Sequence, residues 1–311
     1  MRLIFLGSPA FAVYPLEALA AAGYEIVAVV TQPDRRAGRE RRVTSPPVKV
    51  AAEALGLPVL QPENLREPEV LAQLTALAPD VGVVAAYGAI LRKQMLALPP
   101  LGYLNIHPSL LPLHRGPTPV AGAILAGDSE TGVSLMRLDP GMDSGPLLAQ
   151  TVVPLPRTAR AGPLTDELFQ LGARMLVDVL PRYAAGELVP QPQDHTQASV
   201  TSMLKKEHGW IDWSLPALVL ERMVRAYDPW PGTTTLWQSQ SLRVLAAAVQ
   251  ADWAGNEPKG CLIGRGNSGG PLVATGSGAL ELLEVQPAGR RAMSGSAWLA
   301  GLKGKLGCFE V

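Results

Sequence analysis

The sequence predicts an α/β fold in two domains: a mostly parallel sheet with helices on both faces, then a small antiparallel β-barrel. Three observations predict it. Short apolar runs alternate with helix-length segments across residues 3–106, the pattern of buried parallel strands joined by crossover helices. Residues 189–197 turn polar and proline-rich, which reads as a linker. Beyond them, glycine punctuates five short β-type runs, as in a barrel of the OB type. At 311 residues the chain also exceeds the size at which single cores usually stop growing, and the domains are set at 1–204 and 205–311.

Residues 3–6 are a buried-strand run that stops at Gly7-Ser8-Pro9, and an Ala/Leu-rich helix fills 10–22 up to Gly23. Apolar runs at 26–30, 59–60, 81–86 and 103–106 supply four further strands, which makes the first domain Rossmann-like. Residues 133–138 and 147–153 flank the glycine-rich loop Asp139-Pro-Gly-Met-Asp-Ser-Gly145 and read as a hairpin-like pair. Leu164, Leu168, Leu171, Met175, Leu176, Val179 and Leu180 recur at helical spacing, so 163–185 is a helix that Gly186 closes. In the second domain 214–226 is helical. The β-type runs are 233–237, 242–247, 261–263, 272–274 and 279–285. Trp210, Trp213 and Trp230 group near the boundary and read as packing rather than as a base-stacking platform.

With 27 basic and 27 acidic residues the net charge is zero, which argues against bulk nucleic-acid coating but leaves room for a local basic patch. Cys261 and Cys308 are too few for a disulfide scaffold and lack zinc-site spacing, so they read as buried free thiols, and no metal is expected. Pro9, Pro15 and Glu17 break the N-terminal apolar stretch too early for a secretory signal. No apolar run approaches the roughly 18 residues a bilayer requires, and a cytoplasmic protein without membrane attachment is expected. Nothing in the pattern demands more than a monomer.

Gly7-Ser8-Pro9-Ala10-Phe11 occupies the place of a dinucleotide fingerprint without its GxGxxG spacing, and Pro9 removes a backbone donor. The densest polar chemistry is Asn105-Ile106-His107-Pro108-Ser109, where the fifth strand ends and ligands of α/β sheets bind. Alternation puts Asn105 and His107 on one face, so a carboxamide and an imidazole converge on one atom, as an oxyanion site needs. As a pair alone they are more often turn residues that satisfy buried backbone. A third member, Asp143 in the loop between the late strands, shifts the balance, because a carboxylate there can raise the imidazole pKa.

The run Asn105-Ile-His-Pro-Ser-Leu-Leu-Pro112, then Arg115-Gly116, then Thr131-Gly-Val-Ser-Leu-Met-Arg-Leu-Asp-Pro-Gly-Met-Asp-Ser-Gly145, resembles the folate-dependent formyltransferases. The likeness extends over the whole chain, from Gly7-Ser-Pro-Ala-Phe-Ala12 and Thr31-Gln-Pro-Asp34 to Ile211-Asp-Trp-Ser214 and Arg225-Ala-Tyr-Asp-Pro-Trp-Pro231. The later signatures resemble the branch that acts on initiator tRNA. That resemblance implies formyl transfer from 10-formyltetrahydrofolate to the α-amino group of methionyl initiator tRNA, with no metal and no covalent enzyme intermediate. It implies that Asn105 donates to the formyl oxygen. His107, charged by its pairing with Asp143, would stabilise the oxyanion, and Asp143 would help remove the amine proton. It further places the folate along Ala86, Tyr87, Gly88, Ile90 and Leu91, along Ser109, Leu110, Leu111 and Pro112, and at Asp139 and Gly141. Leu113-His114 and Ala121 depart from the usual pattern and put local substrate contacts in question.

Two segments concentrate positive charge. Arg35, Arg36, Arg39, Arg41, Arg42 and Lys49 face only Asp34 and Glu40 within residues 34–49, in a Pro/Gly-containing loop after the second strand. Arg290, Arg291, Lys303 and Lys305 occur without an acidic residue from 285 to 309. On charge alone both are ordinary solvated faces, but the resemblance makes them contacts to the tRNA acceptor arm. Three rivals remain: a superfamily member acting on an amino-sugar nucleotide or glycinamide ribonucleotide, an inactive tRNA-binding module, and a nicotinamide oxidoreductase. The first needs no basic loop, the second would break the Asn-His-Asp set, and the third lacks its fingerprint.

Overall fold

The computed structural model describes residues 1–37, 42–304 and 307–310, with the backbone alone for Arg36, Ala37 and Arg42. It divides into two compact units. One comprises Met1–Pro119, Glu130–Pro154 and Thr165–Thr201, the other Val120–Ser129, Leu155–Leu164 and Ser202–Val311.

The first unit begins with β1 (Arg2–Gly7), α1 (Val13–Ala21), β2 (Glu25–Val30), β3 (Arg35–Ala37), β4 (Arg42–Thr44), α2 (Pro47–Ala54) and β5 (Val59–Leu60). It continues with α3 (Pro68–Ala76), β6 (Val81–Ala85), α4 (Lys93–Leu96) and β7 (Tyr103–His107). After α5 (Pro119–Ala126), which falls almost wholly in the second unit, come β8 (Glu130–Arg137), β9 (Leu147–Pro154) and α6 (Ala161–Ala184). The sheet order is β5-β2-β1-β6-β7-β8-β9. All pairings up to β7 are parallel, and β8 and β9 are the antiparallel hairpin that the sequence predicts.

Every residue of β6 and β7 is buried, as strands covered on both faces must be. Gly82 lies opposite Tyr103, and a Cβ there would enter the Tyr103 ring, so only glycine lets these strands pair. Helix α1 ends into Gly23 at φ +77°, the left-handed cap that a side chain resists. Pro47 and Pro68 open α2 and α3, where a missing N–H costs nothing.

Two expectations fail here. The basic segment 34–49 is not simply a loop: β3 pairs antiparallel with β4, Arg36 opposite Val43, so its backbone groups satisfy one another. Residues 189–197 are not a free linker either. Gln191 exchanges two 2.7 Å backbone hydrogen bonds with Leu147, and the neighbouring prolines fit this edge position because it needs few donors.

The second unit carries α7 (Ala217–Ala226), β10 (Thr233–Trp237), β11 (Gln240–Gln250), β12 (Leu262–Arg265), β13 (Pro271–Ala274), β14 (Ala279–Pro287), β15 (Met293–Ser294) and α8 (Gly295–Gly301). Its antiparallel sheet runs β10-β11-β14-β13-β12, with β15 on β14. Residues 307–310 join the two edges. The Glu310 N–H donates to the Leu236 carbonyl at 3.0 Å, while the Leu262 N–H reaches Gly307 and the Phe309 N–H reaches Gly260. The sheet thereby closes on itself.

Phe309 plugs that closure, stacked 5.1 Å from Trp213 and edge-on to Trp237 at 5.0 Å. Trp213 is fully buried and donates its indole N–H to Thr235 at 3.0 Å. Trp210 and Trp230 are about half exposed, so the three tryptophans do not form the packed group expected from their sequence spacing. Cys261 and Cys308 are likewise not free thiols: they face each other across the seam and form a disulfide.

Candidate active site

His107 is the last residue of β7, opposite Ser134 of β8, and Asn105 sits two positions earlier on the same face. Both are more than nine-tenths buried. The His107 Nε2 lies 3.0 Å from the His114 carbonyl oxygen; a carbonyl only accepts, so this nitrogen carries the proton. Nδ1 faces Asp143 Oδ2 at 3.7 Å. Burial pushes the imidazole below its ordinary 6.5 and outweighs the Asp143 charge, which pulls it up. The resting imidazole is therefore neutral, with Nδ1 bare toward Asp143. This corrects the expectation that Asp143 holds it charged, and desolvation is the reason.

Asn105 contributes differently. Asn105 is 8% exposed, and its carboxamide, which bonds to no described residue, is not sealed from solvent.

Asp143 adopts a left-handed φ of +49°. Its Oδ2 accepts the Gly116 N–H at 2.7 Å, and its carbonyl accepts the Gln193 side-chain amide at 2.9 Å. Gly116 stands at φ +99°, and a Cβ there would lie 2.6 Å from the Thr201 carbonyl oxygen, so this donor position requires glycine.

The segment after β7 is stitched down by a small polar set. The Ser109 hydroxyl donates to the Leu113 carbonyl at 2.7 Å, and the Ser134 hydroxyl donates to the Ser109 carbonyl while accepting the Leu111 N–H. Gln150 donates to the Leu111 carbonyl at 2.8 Å. Ser109 and Leu111 are buried and Leu110 and Pro112 half-buried, so this stretch is shaped before any ligand arrives. Tyr87 and Leu91 belong to the apolar core with Ile4, Met95 and Tyr103, and the Tyr87 carbonyl accepts the Gln32 side-chain amide at 3.3 Å. Ala86 and Gly88 flank Tyr87 at φ +48° and +86°, and Ile90 is exposed. The Asp139 carboxylate accepts the Gly141 N–H and the Ser144 hydroxyl and so shapes its own loop.

Of the basic residues, Arg35, Arg290, Arg291 and Lys303 are exposed. Arg36 and Arg42 sit on β3 and β4, whereas Arg39, Arg41 and Lys305 lie outside the described residues. The Lys49 ammonium is engaged by Asp34 at 2.9 Å. Sequence reasoning missed Ser134, Gln150 and Gln193: Ser134 lies within the run 131–145 but was given no role there, Gln150 sits on a strand outside every motif, and Gln193 was absorbed into the polar stretch taken as linker. Among the described residues no helix is long and apolar enough to cross a membrane, and no cluster of three His, Cys, Asp or Glu could hold a metal ion.

A fold of this kind, with a carboxamide, an imidazole and a carboxylate at the end of β7, matches the formyl transferase class. The formyl transferase family model covers residues 1–180, and that for the formyl transferase C-terminal domain covers 203–303. A protein of Chloroflexus aurantiacus named methionyl-tRNA formyltransferase is 70% identical over 97% of both chains. HypX from Aquifex aeolicus in complex with tetrahydrofolic acid superposes with a TM-score of 0.62 at 18% identity, over 100% of this chain and 51% of its own. An N-formyltransferase from Helicobacter canadensis, in complex with folinic acid and dTDP-3-aminofucose, gives 0.64 at 15% identity over 92% and 99%. At those identities the two structures share the fold. The chain belongs to the formyl transferases and, within them, to the methionyl-tRNA formyltransferase family.

Proposed function

We propose that this enzyme transfers the formyl group of 10-formyltetrahydrofolate to the α-amino group of methionine esterified to initiator tRNA. The single observation that carries the chemistry is the Asn105 carboxamide, which bonds to no described residue, on the same strand face as His107 of the His107–Asp143 pair. Asn105 donates to the formyl oxygen and holds it as charge develops there. The neutral amine attacks the formyl carbon, and its proton passes to the pair: Asp143 and the bare Nδ1 of His107 form a site whose negative charge welcomes it. Once protonated, the imidazole adds positive charge near the oxyanion. The bond from the formyl carbon to N10 of the folate then breaks, the nitrogen recovers a proton, and the new amide leaves on the tRNA.

The folate lies along 86–91, 109–112 and 139–143, where exposed backbone at Ala86, Gly88 and Gly141 meets the amide-like edge of a pterin. The acceptor arm meets Arg35, Arg36, Arg39, Arg41, Arg42 and Lys49 of the sequence segment 34–49 and Arg290, Arg291, Lys303 and Lys305 of the segment 285–309. We set the domain boundary near residue 205, and expect a cytoplasmic monomer.

The test is formyl transfer from 10-formyltetrahydrofolate to charged initiator methionyl-tRNA, charged elongator methionyl-tRNA and glycinamide ribonucleotide. Product on the initiator alone supports the proposal. Product on the small amine retains the chemistry and discards the tRNA, and no product with any acceptor rejects the reading.

A further inference from the structure

Gln193 is 6% exposed, and its carboxamide uses its full hydrogen-bonding capacity. The amide nitrogen donates to the carbonyl oxygens of Asp143 at 2.9 Å and Gly145 at 2.7 Å. The amide oxygen accepts from Arg115 twice, from Nε at 3.1 Å and Nη2 at 2.6 Å. Arg115 is 8% exposed, its Nη2 also meets His195 Nδ1 at 2.9 Å, and no carboxylate pairs with it among the described residues. The residue after Arg115 is Gly116, whose N–H holds the Asp143 carboxylate. Asp143 is thus gripped at both ends, by Gly116 at the carboxylate and by Gln193 at the carbonyl, and both grips trace back to Arg115-Gly116.

We propose that Gln193, anchored by Arg115, is a positioning residue for formyl transfer: it fixes the left-handed Asp143 loop so that the carboxylate stands over Nδ1 of His107. This rests on the formyl-transfer reading of Asp143. A left-handed aspartate with only its carboxylate held has other conformations within reach, and a buried guanidinium without an acid partner gives Gln193 a fixed anchor that a solvated one would not. Neither Gln193 nor Arg115 touches the reacting atoms. Their effect passes through the position of Asp143, and misplacing a catalytic group by an ångström costs about 10²-fold in rate.

Two variants test this. Gln193→Leu removes both N–H donors and the oxygen that accepts twice from Arg115. Gln193→Glu loses the donors to Asp143 and Gly145 but keeps acceptors for Arg115 and gains an ion pair with it, which holds the side chain in place and guards against the first variant failing to fold. Both are expected to lower kcat about 10²-fold while the KM values for 10-formyltetrahydrofolate and for charged initiator tRNA stay within about twofold. The His107 imidazole is followed in parallel by NMR titration. The groups that face it are Asp143, whose charge raises its midpoint, and His114, whose carbonyl hydrogen bond raises it and whose ring charge lowers it; the variants displace only Asp143, so the midpoint falls in both. Unchanged kcat and midpoint in Gln193→Glu overturn the proposal, as does a change in KM alone. If the wild-type enzyme transfers no formyl group yet the midpoint falls, the functional reading fails and the latch stands.

Discussion

Oδ2 of Asp143 lies 2.7 Å from the Gly116 nitrogen but 3.7 Å from Nδ1 of His107, so the backbone rather than the imidazole holds the carboxylate. Asp143 can therefore keep its place when the imidazole changes charge. Removing His107 should not release the loop.

His107→Ala and Asn105→Ala accordingly keep the fold and lose rate. Each should reduce kcat by about 10²–10³-fold, the usual loss when one donor to a developing oxyanion is deleted. Because the Asn105 carboxamide bonds to nothing among the described residues, its removal should leave the melting temperature within a few degrees. Near-normal formylation by either variant rules out its role, and collapse of the Asn105 variant rules out a free carboxamide.

The imidazole of His107 should titrate below 6.5, and lower still in Asp143→Asn, because burial depresses it and Asp143 alone among its neighbouring charges opposes that. A folded value below the unfolded one means that the unfolded chain takes up the proton first as pH falls. Stability is thus complete above about 6.5 and declines beneath it until the folded group is protonated. A midpoint above 6.5 by NMR would sink this assignment.

The basic hairpin has a clasp. Asp34, just before β3, accepts the Lys49 ammonium at 2.9 Å, the Gln61 amide at 2.7 Å and the Ser45 hydroxyl at 3.1 Å, which ties both ends of the hairpin to α2 and to the segment after β5. Asp34→Ala should raise the KM for charged tRNA about tenfold and leave that for folate unchanged. If Lys49 acts through the clasp, Lys49→Met behaves alike with an unaltered salt dependence. If it binds phosphate instead, the salt slope falls by about one.

Phe309→Ala should destabilise the second unit by about 3–5 kcal/mol, the cost of emptying an aromatic site in a packed core. Phe309 stacks on Trp213, so the loss reads out as a change in tryptophan emission on urea unfolding. A change below 1 kcal/mol would mean that the seam does not depend on this ring.

The parallel strands were legible because buried runs such as 81–85 are apolar on both faces, and α6 because its leucines repeat at helical spacing. The short elements were not. β3 and β4 pair through backbone beneath a basic, glycine-bearing text, and β15 with α8 is a two-residue strand followed by a seven-residue helix between glycines, too short for any period to register. At the site, Asn105 and His107 could be placed on one face from alternation alone. The neutral state of His107 could not, because it depends on how thoroughly the folded chain excludes water from the ring. Gln193 was hidden for a different reason: polar residues among prolines look solvated until three-dimensional packing supplies them with buried partners.

The seam formed by residues 307–310 also orders events during synthesis. Glu310 pairs with Leu236 and Gly307 with Leu262, contacts that span dozens of residues, so a growing chain that has not yet delivered these last strand partners keeps both edges of the second sheet open. The first unit holds all its own sheet strands by Pro154 and can form while the later sequence is still being made. Maturation of the second sheet then awaits emergence of Phe309 from the ribosome, and a chain stalled a few residues short would carry an intact formyl-transfer site beside an unfinished, aggregation-prone barrel.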